Sequence, residues 1–204
     1  MNTEFFAAWI EEITSAVRAG RDHLTELDAA IGDADHGTNL DRGFTAVGEA
    51  LAAAPPRTPG ALLVLTGTTL IRKVGGASGP LYGTAFREMG KAFGEATEIS
   101  PAELSAGVDA ALAGVRRLGS AAEGDKTMVD ALAPAAAALS RAVQDGLKPE
   151  EALEAAEGAR ATVPLQARKG RASYLGPRSV GHEDPGAAST ALVFGALRAA
   201  ASRG

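Results

Sequence analysis

Apolar side chains recur along this chain at the three- and four-residue spacing of helices that bury one face. The stripe is clearest over residues 3–19, where it comprises Phe5, Phe6, Trp9, Ile10, Ile13, Ala16 and Val17. Similar helical patterns cover residues 39–54, 58–74, 80–94, 101–118, 128–145, 149–169 and 184–201. No segment shows the two-residue alternation of a strand. The pattern therefore predicts an all-α fold.

Capping residues mark several helix boundaries. Thr58 before Pro59 has the residue types of an N-cap followed by N1, and Ser100 with Glu103 forms a capping box. Gly20 predicts the end of the first helix, with a short helix following it through Leu27. Lys148-Pro149-Glu150 predicts the start of a helix that extends toward Lys169, with a kink at Pro164.

The order of the loops predicts where a functional site would lie. Consecutive helices with short connections pack antiparallel, so alternate loops share one end of a bundle. One end, which we call the site pole, would hold residues 31–37, 75–79, 119–127 and 169–184. The far pole would hold 54–60, 95–100 and 146–149. Because glycines and charged loop residues concentrate in the first set, we expect an up-and-down bundle with its site at that pole.

The loop after Leu27 places Asp28, Asp33 and Asp35 within eight residues. Carboxylates are the hard ligands that Mg²⁺ takes beside substrate phosphates, and the helix that opens at 37–39 would point free N–H groups at a phosphate. A calcium EF-hand is disfavoured because Phe44 stands where its bidentate Glu would be. A solvated turn with a capping Asp remains the alternative.

The other site-pole loops also suit a phosphorylated ligand. The glycines of 75–79 would leave backbone amides and the Ser78 hydroxyl open to phosphate, although no Walker A lysine follows. Residues 119–128 are long enough for a lid, with Met128 against an aromatic base. Arg171 and Arg178 could pair with phosphate. Ordinary helix caps and a mobile surface loop are the alternative interpretations of these segments.

Composition narrows the class of protein. The 204 residues suit a single domain, 1–204, and are 46% hydrophobic. A net charge of −5 without a basic stripe disfavours nucleic-acid binding, and the lack of cysteine excludes disulfides and thiolate chemistry. No apolar run approaches membrane-spanning length. We therefore expect a cytoplasmic protein with neither nucleic-acid nor membrane partners.

Four motifs together resemble the nucleotide-binding L subunit of dihydroxyacetone kinase, the DhaL family. They are the stretches Glu26–Asn39, Val74–Thr84, Gly124–Met128 and Ala167–Ala187, and the last reads ARKGRASYLGPRSVGHEDPGA. The match runs through essentially the whole chain in order. The resemblance implies a barrel of eight antiparallel amphipathic helices with the nucleotide at one pole.

The resemblance also implies a ligand set for magnesium and for ADP or ATP. Two Mg²⁺ ions would be held by Asp28, Asp33 and Asp35. The phosphates would be lined by His36, Gly37, Thr38, Asn39, Ala77 and Ser78. The lid over adenine would include Gly119 and Met128, and the nucleotide site would be completed by Arg171, Asp184, Pro185 and Gly186.

The family's triose is held on a separate sugar-binding subunit, which is the partner that the resemblance implies. In one class of these kinases ADP stays bound and is rephosphorylated by a phosphocarrier protein of the phosphotransferase system, and the single-domain length favours this class. In the other class ATP exchanges as a substrate. A nucleotide-sensing regulatory module and the nucleotide domain of an acyl-phosphate-forming kinase are the alternatives.

Overall fold

A computed structural model describes residues 1–146 and 155–202. It contains eight α-helices and one 3-10 segment, Arg171–Ser179, and these described residues include no strand. The helices are α1 Thr3–Ile31, α2 His36–Ala53, α3 Pro59–Lys73, α4 Ser78–Phe93, α5 Pro101–Gly119, α6 Val129–Gln144, α7 Ala155–Ala161 and α8 Pro185–Ala201. The predicted all-α fold class is confirmed.

Each helix packs against the next one in the chain, and α8 packs back against α1. This closed order of neighbours is the arrangement that the expected barrel requires. The interior is one apolar cluster in which Phe6, Trp9, Phe86 and Phe93 make edge and tilted ring contacts. The Trp9 indole also donates to the Val193 carbonyl at 2.9 Å, which links α1 to α8 across the closure.

Glycines bring α3 and α4 into backbone contact. A Cβ on Gly83 would lie 2.7 Å from the Gly67 carbonyl oxygen, and one on Gly90 would lie 2.6 Å from that of Gly60. Real side chains essentially never approach so closely, so any substitution there would push the helices apart. The tight pairing matters for function because α4 begins at Ser78, in a predicted phosphate loop.

The helix caps predicted from the sequence are present at the far pole. Thr58 Oγ1 accepts from Ala61 N at 3.2 Å, and Ser100 and Glu103 form the complete capping box. The chain start is tied to the same end, because Met1 and Ile99 exchange two backbone hydrogen bonds of 2.7 and 2.9 Å. The two caps are local contacts, whereas the Met1–Ile99 pair joins residues that are far apart in the sequence.

Two predicted boundaries were wrong. The first helix does not stop at Gly20 but runs on to Ile31, because a single helical glycine costs only about 1 kcal/mol and the buried stripe continues through Leu24, Asp28 and Ile31. The later helix ends at Ala161 rather than near Lys169, because the backbone changes to i−3 hydrogen bonds at Thr162 and Pro164 has no N–H with which to continue the helix. Its predicted start, 148–150, lies outside the described residues.

None of the helices in the described part of the chain combines the length and apolarity needed to cross a bilayer.

Candidate functional site

A cavity of about 270 Å³ opens at the site pole. Its walls come from all four loops predicted for that end: the residues after α1, the turn between α3 and α4, the 119–128 loop and the segment from Lys169 to Gly186. The first turns of α2, α4 and α8 face it through His36, Ser78 and Pro185. Helix N-termini present free N–H groups and positive dipole ends, so the cavity suits an anionic ligand.

The three predicted aspartates meet at one side of this cavity. Asp28, Asp33 and Asp35 each offer a carboxylate oxygen, and these oxygens lie within 4.8 Å of one another. Asp28 is buried at the end of α1, where its Oδ2 accepts from the N–H groups of Asp35 and His36 at 2.9 and 3.1 Å. Its other oxygen makes no hydrogen bond within the described residues. Three adjacent carboxylates repel each other, so this donor set fits divalent cations.

Local backbone geometry brings the aspartates together. A Cβ on Gly32 would lie 2.9 Å from the Asp28 carboxylate carbon, so only glycine leaves that side chain its place. Ala34 adopts a positive φ of 61°, which is uncommon for a residue with a Cβ. Strain of this kind is typical of functional loops.

Arg171 faces the same cluster from the 3-10 segment. Its Nη2 lies 3.1 Å from Asp33 Oδ2, and both side chains are substantially exposed. An exposed ion pair of this type contributes little to stability. A guanidinium held by so weak a pair remains available to another anion.

A chain of hydrogen bonds runs behind the cavity wall. His36 Nδ1 lies 3.1 Å from Ser78 Oγ, and His36 Nε2 lies 2.8 Å from Ser189 Oγ. Ser189 Oγ in turn lies 2.7 Å from the Tyr82 hydroxyl. Burial lowers the pKa of His36, against the opposing effect of the Asp28 and Asp35 carboxylates and the Pro185 carbonyl. Burial also raises the pKa of Tyr82 to about 12.

Lys126 organises the loop between α5 and α6. Its side chain is almost wholly buried, and its ammonium donates to the carbonyls of Thr162 (2.8 Å) and His182. Burial lowers the pKa of Lys126, while Asp184 and Asp130 raise it. Asp130 holds the same loop by accepting from the N–H groups of Gly124 and Thr127 at 2.6 and 2.8 Å.

Asp184 is the N-cap of α8 and lines the cavity. Its Oδ2 accepts from Ala187 N at 2.8 Å, and its own N–H donates to Thr162 Oγ1 at 2.9 Å. Burial raises the pKa of Asp184 to about 7, an effect that the hydrogen bond from Ala187 opposes. The capping position and the cavity therefore depend on the same carboxyl group.

The structure places all but three of the predicted site residues on the cavity wall. Those present are Asp28, Asp33, Asp35, His36, Ala77, Ser78, Gly119, Met128, Arg171, Asp184, Pro185 and Gly186. The remaining three, in the first turn of α2, do not line it. Gly37 packs against the Arg21 backbone, Thr38 is exposed, and the Asn39 amide accepts from Arg42 at 2.7 Å.

Several wall residues escaped prediction from sequence. Lys126 stood in a noted motif but had no assigned role, and its positive φ of 62° has no sequence signal beyond the neighbouring Gly124. Tyr82 lies one helical turn after Ser78, a spacing that could have drawn attention to it. Behind the wall, Ser189 lies beside Thr190 in an otherwise apolar helix, where small hydroxyl residues are unremarkable in sequence.

The family model for the DAK2 domain matches residues 30–199 of this chain. The chain belongs to the DAK2-domain family. The matched residues include the whole cavity wall except Asp28 at the end of α1. The match confirms the resemblance to the L subunits of dihydroxyacetone kinase.

Two curated relatives of the DAK2 chain match it nearly end to end. The "PEP-dependent dihydroxyacetone kinase, ADP-binding subunit DhaL" of Escherichia coli K12 is 42% identical over 95% of this chain and 94% of its own. The "PTS-dependent dihydroxyacetone kinase, ADP-binding subunit DhaL" of Lactococcus lactis is 38% identical over 93% of each chain.

A solved structure has the same fold. The dihydroxyacetone kinase of C. freundii in complex with AMP-PNP and Mg²⁺ superposes with a TM-score of 0.72 at 28% identity. The match covers 98% of this chain but only 34% of that one. The DAK2 chain therefore corresponds to about one third of that kinase.

Proposed function

We propose that this chain is the nucleotide-binding phosphotransferase subunit of a two-subunit dihydroxyacetone kinase, and that residues 1–204 act as one nucleotide-binding domain. The observation that carries the proposal is the convergence of three aspartate oxygens, within 4.8 Å of each other, on a cavity faced by three helix N-termini. Carboxylates alone would repel a phosphate chain, and helix N-termini alone would attract one. Together they suit a nucleotide that arrives with divalent cations.

Different side chains would bind the cations, the phosphates and the base. Asp28, Asp33 and Asp35 would hold two Mg²⁺ ions, which when bound neutralise phosphate charge and align the transferring group. His36, Ser78 and the first turn of α4 would face the phosphates, and Arg171 would exchange Asp33 for a phosphate oxygen. Met128 and Gly119 form the wall on which the base would lie. The chain acts by positioning and by charge, with no protein nucleophile.

The proposed phosphoryl donor is ATP formed in place: ADP would stay bound, be rephosphorylated by a phosphocarrier protein, and return to ADP when the phosphoryl group passes to the triose. The names of the E. coli and L. lactis relatives, PEP-dependent and PTS-dependent, support this class. The AMP-PNP complex of the C. freundii kinase supports the alternative, in which ATP is exchanged. Nucleotide that stays with the purified protein through gel filtration would favour the first class, and nucleotide-free protein that turns over ATP would favour the second.

The triose is proposed to reside on a partner subunit. Reacting atoms must come within about 3–3.5 Å, so the partner would dock on the site pole itself.

Reconstitution tests the whole proposal. Purified chain, Mg²⁺ and nucleotide should phosphorylate dihydroxyacetone only when a sugar-binding subunit is added, with the phosphocarrier system or ATP as the source. Tight nucleotide binding without any turnover in the complete mixture would indicate the regulatory alternative instead.

A further inference from the structure

The buried hydrogen-bond chain behind the cavity lies outside the proposed ligand contacts except at its two site residues, His36 and Ser78. It joins the first residues of α2 and α4 to α8, because His36 begins α2, Ser78 begins α4 and Ser189 lies in α8. Its far end is Tyr82, a side chain that is only 3% exposed and lines the cavity wall. Neither Tyr82 nor Ser189 is among the proposed ligand contacts.

The number of hydrogens and the contact distances together favour one direction for the bonds of this chain. Burial raises the pKa of Tyr82 to about 12, so its hydroxyl carries one hydrogen to donate. The nearest acceptor is Ser189 Oγ at 2.7 Å, ahead of Thr190 Oγ1 at 3.0 Å and the Gly186 carbonyl at 3.3 Å. Shorter O–H···O contacts are the stronger ones, so Ser189 is the favoured acceptor.

The Ser189 hydroxyl hydrogen then needs an acceptor. Its two acceptors are His36 Nε2 at 2.8 Å and the Gly186 carbonyl at 3.1 Å, and the shorter contact favours Nε2 even though that carbonyl can accept from both Ser189 and Thr190. If the hydrogen goes to Nε2, a neutral imidazole carries its own hydrogen on Nδ1. Nδ1 lies 3.1 Å from Ser78 Oγ, which would accept it.

We infer that Tyr82 and Ser189 are positioning residues that hold His36 as the Nδ1–H tautomer, so that Ser78 accepts from the ring and its own hydroxyl hydrogen points to a phosphoryl oxygen of the bound nucleotide. The reverse order would make Ser78 a donor to the ring and present only its lone pairs to an anion. The inference rests on the proposed nucleotide function for its ligand. The tautomer itself does not depend on that function.

The tautomer is measured directly by ¹⁵N NMR of the imidazole in the full chain, with His36 assigned against variants of the other two histidines, His23 and His182. The expected signature is Nδ1–H in the wild-type protein. Tyr82→Phe should move it toward Nε2–H, since Ser189 then lacks a donor and can accept from the ring. An Nε2–H ring in the wild-type protein overturns the inference.

Nucleotide affinity supplies the second measurement. A hydrogen bond to a charged acceptor is worth about 1.5–3 kcal/mol, so Ser78→Ala should weaken Mg-ADP binding roughly ten- to a hundredfold. Tyr82→Phe should approach that loss, and the double variant should bind no worse than Ser78→Ala alone. Full additivity would mean that Tyr82 acts independently of Ser78, and would overturn the inference.

Two variants make the experiment decisive. Tyr174→Phe removes the same hydroxyl from the chain's other tyrosine, which is 89% exposed, and should leave both the tautomer and Mg-ADP affinity unchanged. Ser189→Ala breaks the chain without touching α4 and replaces Tyr82→Phe if that variant fails to fold. If the wild-type chain binds no Mg-ADP, the proposed function fails, and the tautomer alone upholds or overturns the inference.

Discussion

The two poles of the bundle differ in how their loops satisfy the backbone. At the far pole, Thr58 and Ser100 cap their helices with their own side chains, and Met1 pairs with Ile99 through backbone groups. At the site pole, loops are crossed by buried polar side chains from other elements. The three non-glycine residues with positive φ in the described chain, Ala34, Ser120 and Lys126, all lie at this pole.

This difference makes the site pole the end of the bundle that carries backbone strain and buried charge. Left-handed backbone at non-glycine residues costs on the order of 1–3 kcal/mol each, and buried charges require partners. Natural proteins keep such features where a site needs them. The far pole should therefore tolerate substitutions that the site pole does not, and the largest differences should be seen when ligand is present.

The largest expected effect is at the carboxylate cluster. Asp33→Ala, Asp35→Ala and Asp28→Ala should each abolish nearly all of the nucleotide-dependent rise in melting temperature, because each removes a proposed metal ligand. A saturating ligand at a hundred times its Kd stabilises by about 2.7 kcal/mol, so the loss is easily measured by a thermal shift assay. Asp145→Ala, an exposed aspartate after α6, is the matched control and should keep the full rise. Full stabilisation in all three variants would refute the metal assignment.

The next effect concerns Lys126. Lys126→Met keeps the apolar stem but leaves the carbonyls of Thr162 and His182 without their donor, which should lower the free energy of unfolding by about 1–3 kcal/mol. Chemical denaturation measures this. Lys91→Met, which removes an exposed lysine paired with Glu88, should change stability by no more than about 0.5 kcal/mol. Equal costs for the two variants would show that the site pole does not depend on its buried charge.

A smaller effect is expected from pH. The pKa of Asp184 is about 7 in the folded protein against an ordinary value of 3.8, so the folded state holds this proton more tightly. Its stabilising contribution is complete below pH 4 and is lost as pH rises through about 7. Asp184→Asn retains an N-cap residue type and should remove this dependence, on the order of 2–4 kcal/mol between pH 4 and 7 in ligand-free protein. Parallel stability–pH curves for the two proteins would contradict the shift.

The smallest effect is expected at the surface of this chain where the sugar-binding subunit is proposed to dock. Arg178 is exposed on the 3-10 segment at the site pole, and Arg57 is exposed at the far pole. Arg178→Ala should lower turnover with the sugar-binding subunit about tenfold, or about 1.4 kcal/mol, while nucleotide affinity stays nearly constant. Arg57→Ala should leave turnover unchanged. If Arg57→Ala lowers turnover and Arg178→Ala does not, the docking surface lies at the far pole.

Much of this architecture was predictable because the sequence signals of helices are local. Capping residues such as Ser100 and Glu103 act within four residues, and loop alternation follows from short connections between antiparallel helices. The helix end predicted at Gly20 was wrong because a glycine ends a helix only when tertiary packing allows it. The buried stripe of α1 continues beyond this residue. Local signals therefore placed the site at one pole but did not set every boundary.

The interior of the site was not predictable in the same way. Lys126 meets its two carbonyl partners across 36 and 56 residues, and Tyr82 meets Ser189 across 107. Such pairs depend on how distant helices pack against one another, which no spacing rule encodes. The aspartates were accessible because all three lie within one short segment, where sequence distance limits spatial distance.

The central claim is that this pole binds a nucleotide through divalent cations, and isothermal titration calorimetry of the purified full chain with ADP tests it most directly. The same protein is titrated once with Mg²⁺ and once with a chelator, after any co-purified nucleotide has been removed. Tight binding with Mg²⁺ that is lost with chelator is the predicted result, because the carboxylates of Asp28, Asp33 and Asp35 would otherwise repel the phosphates. Equal affinity in the two titrations would contradict the account.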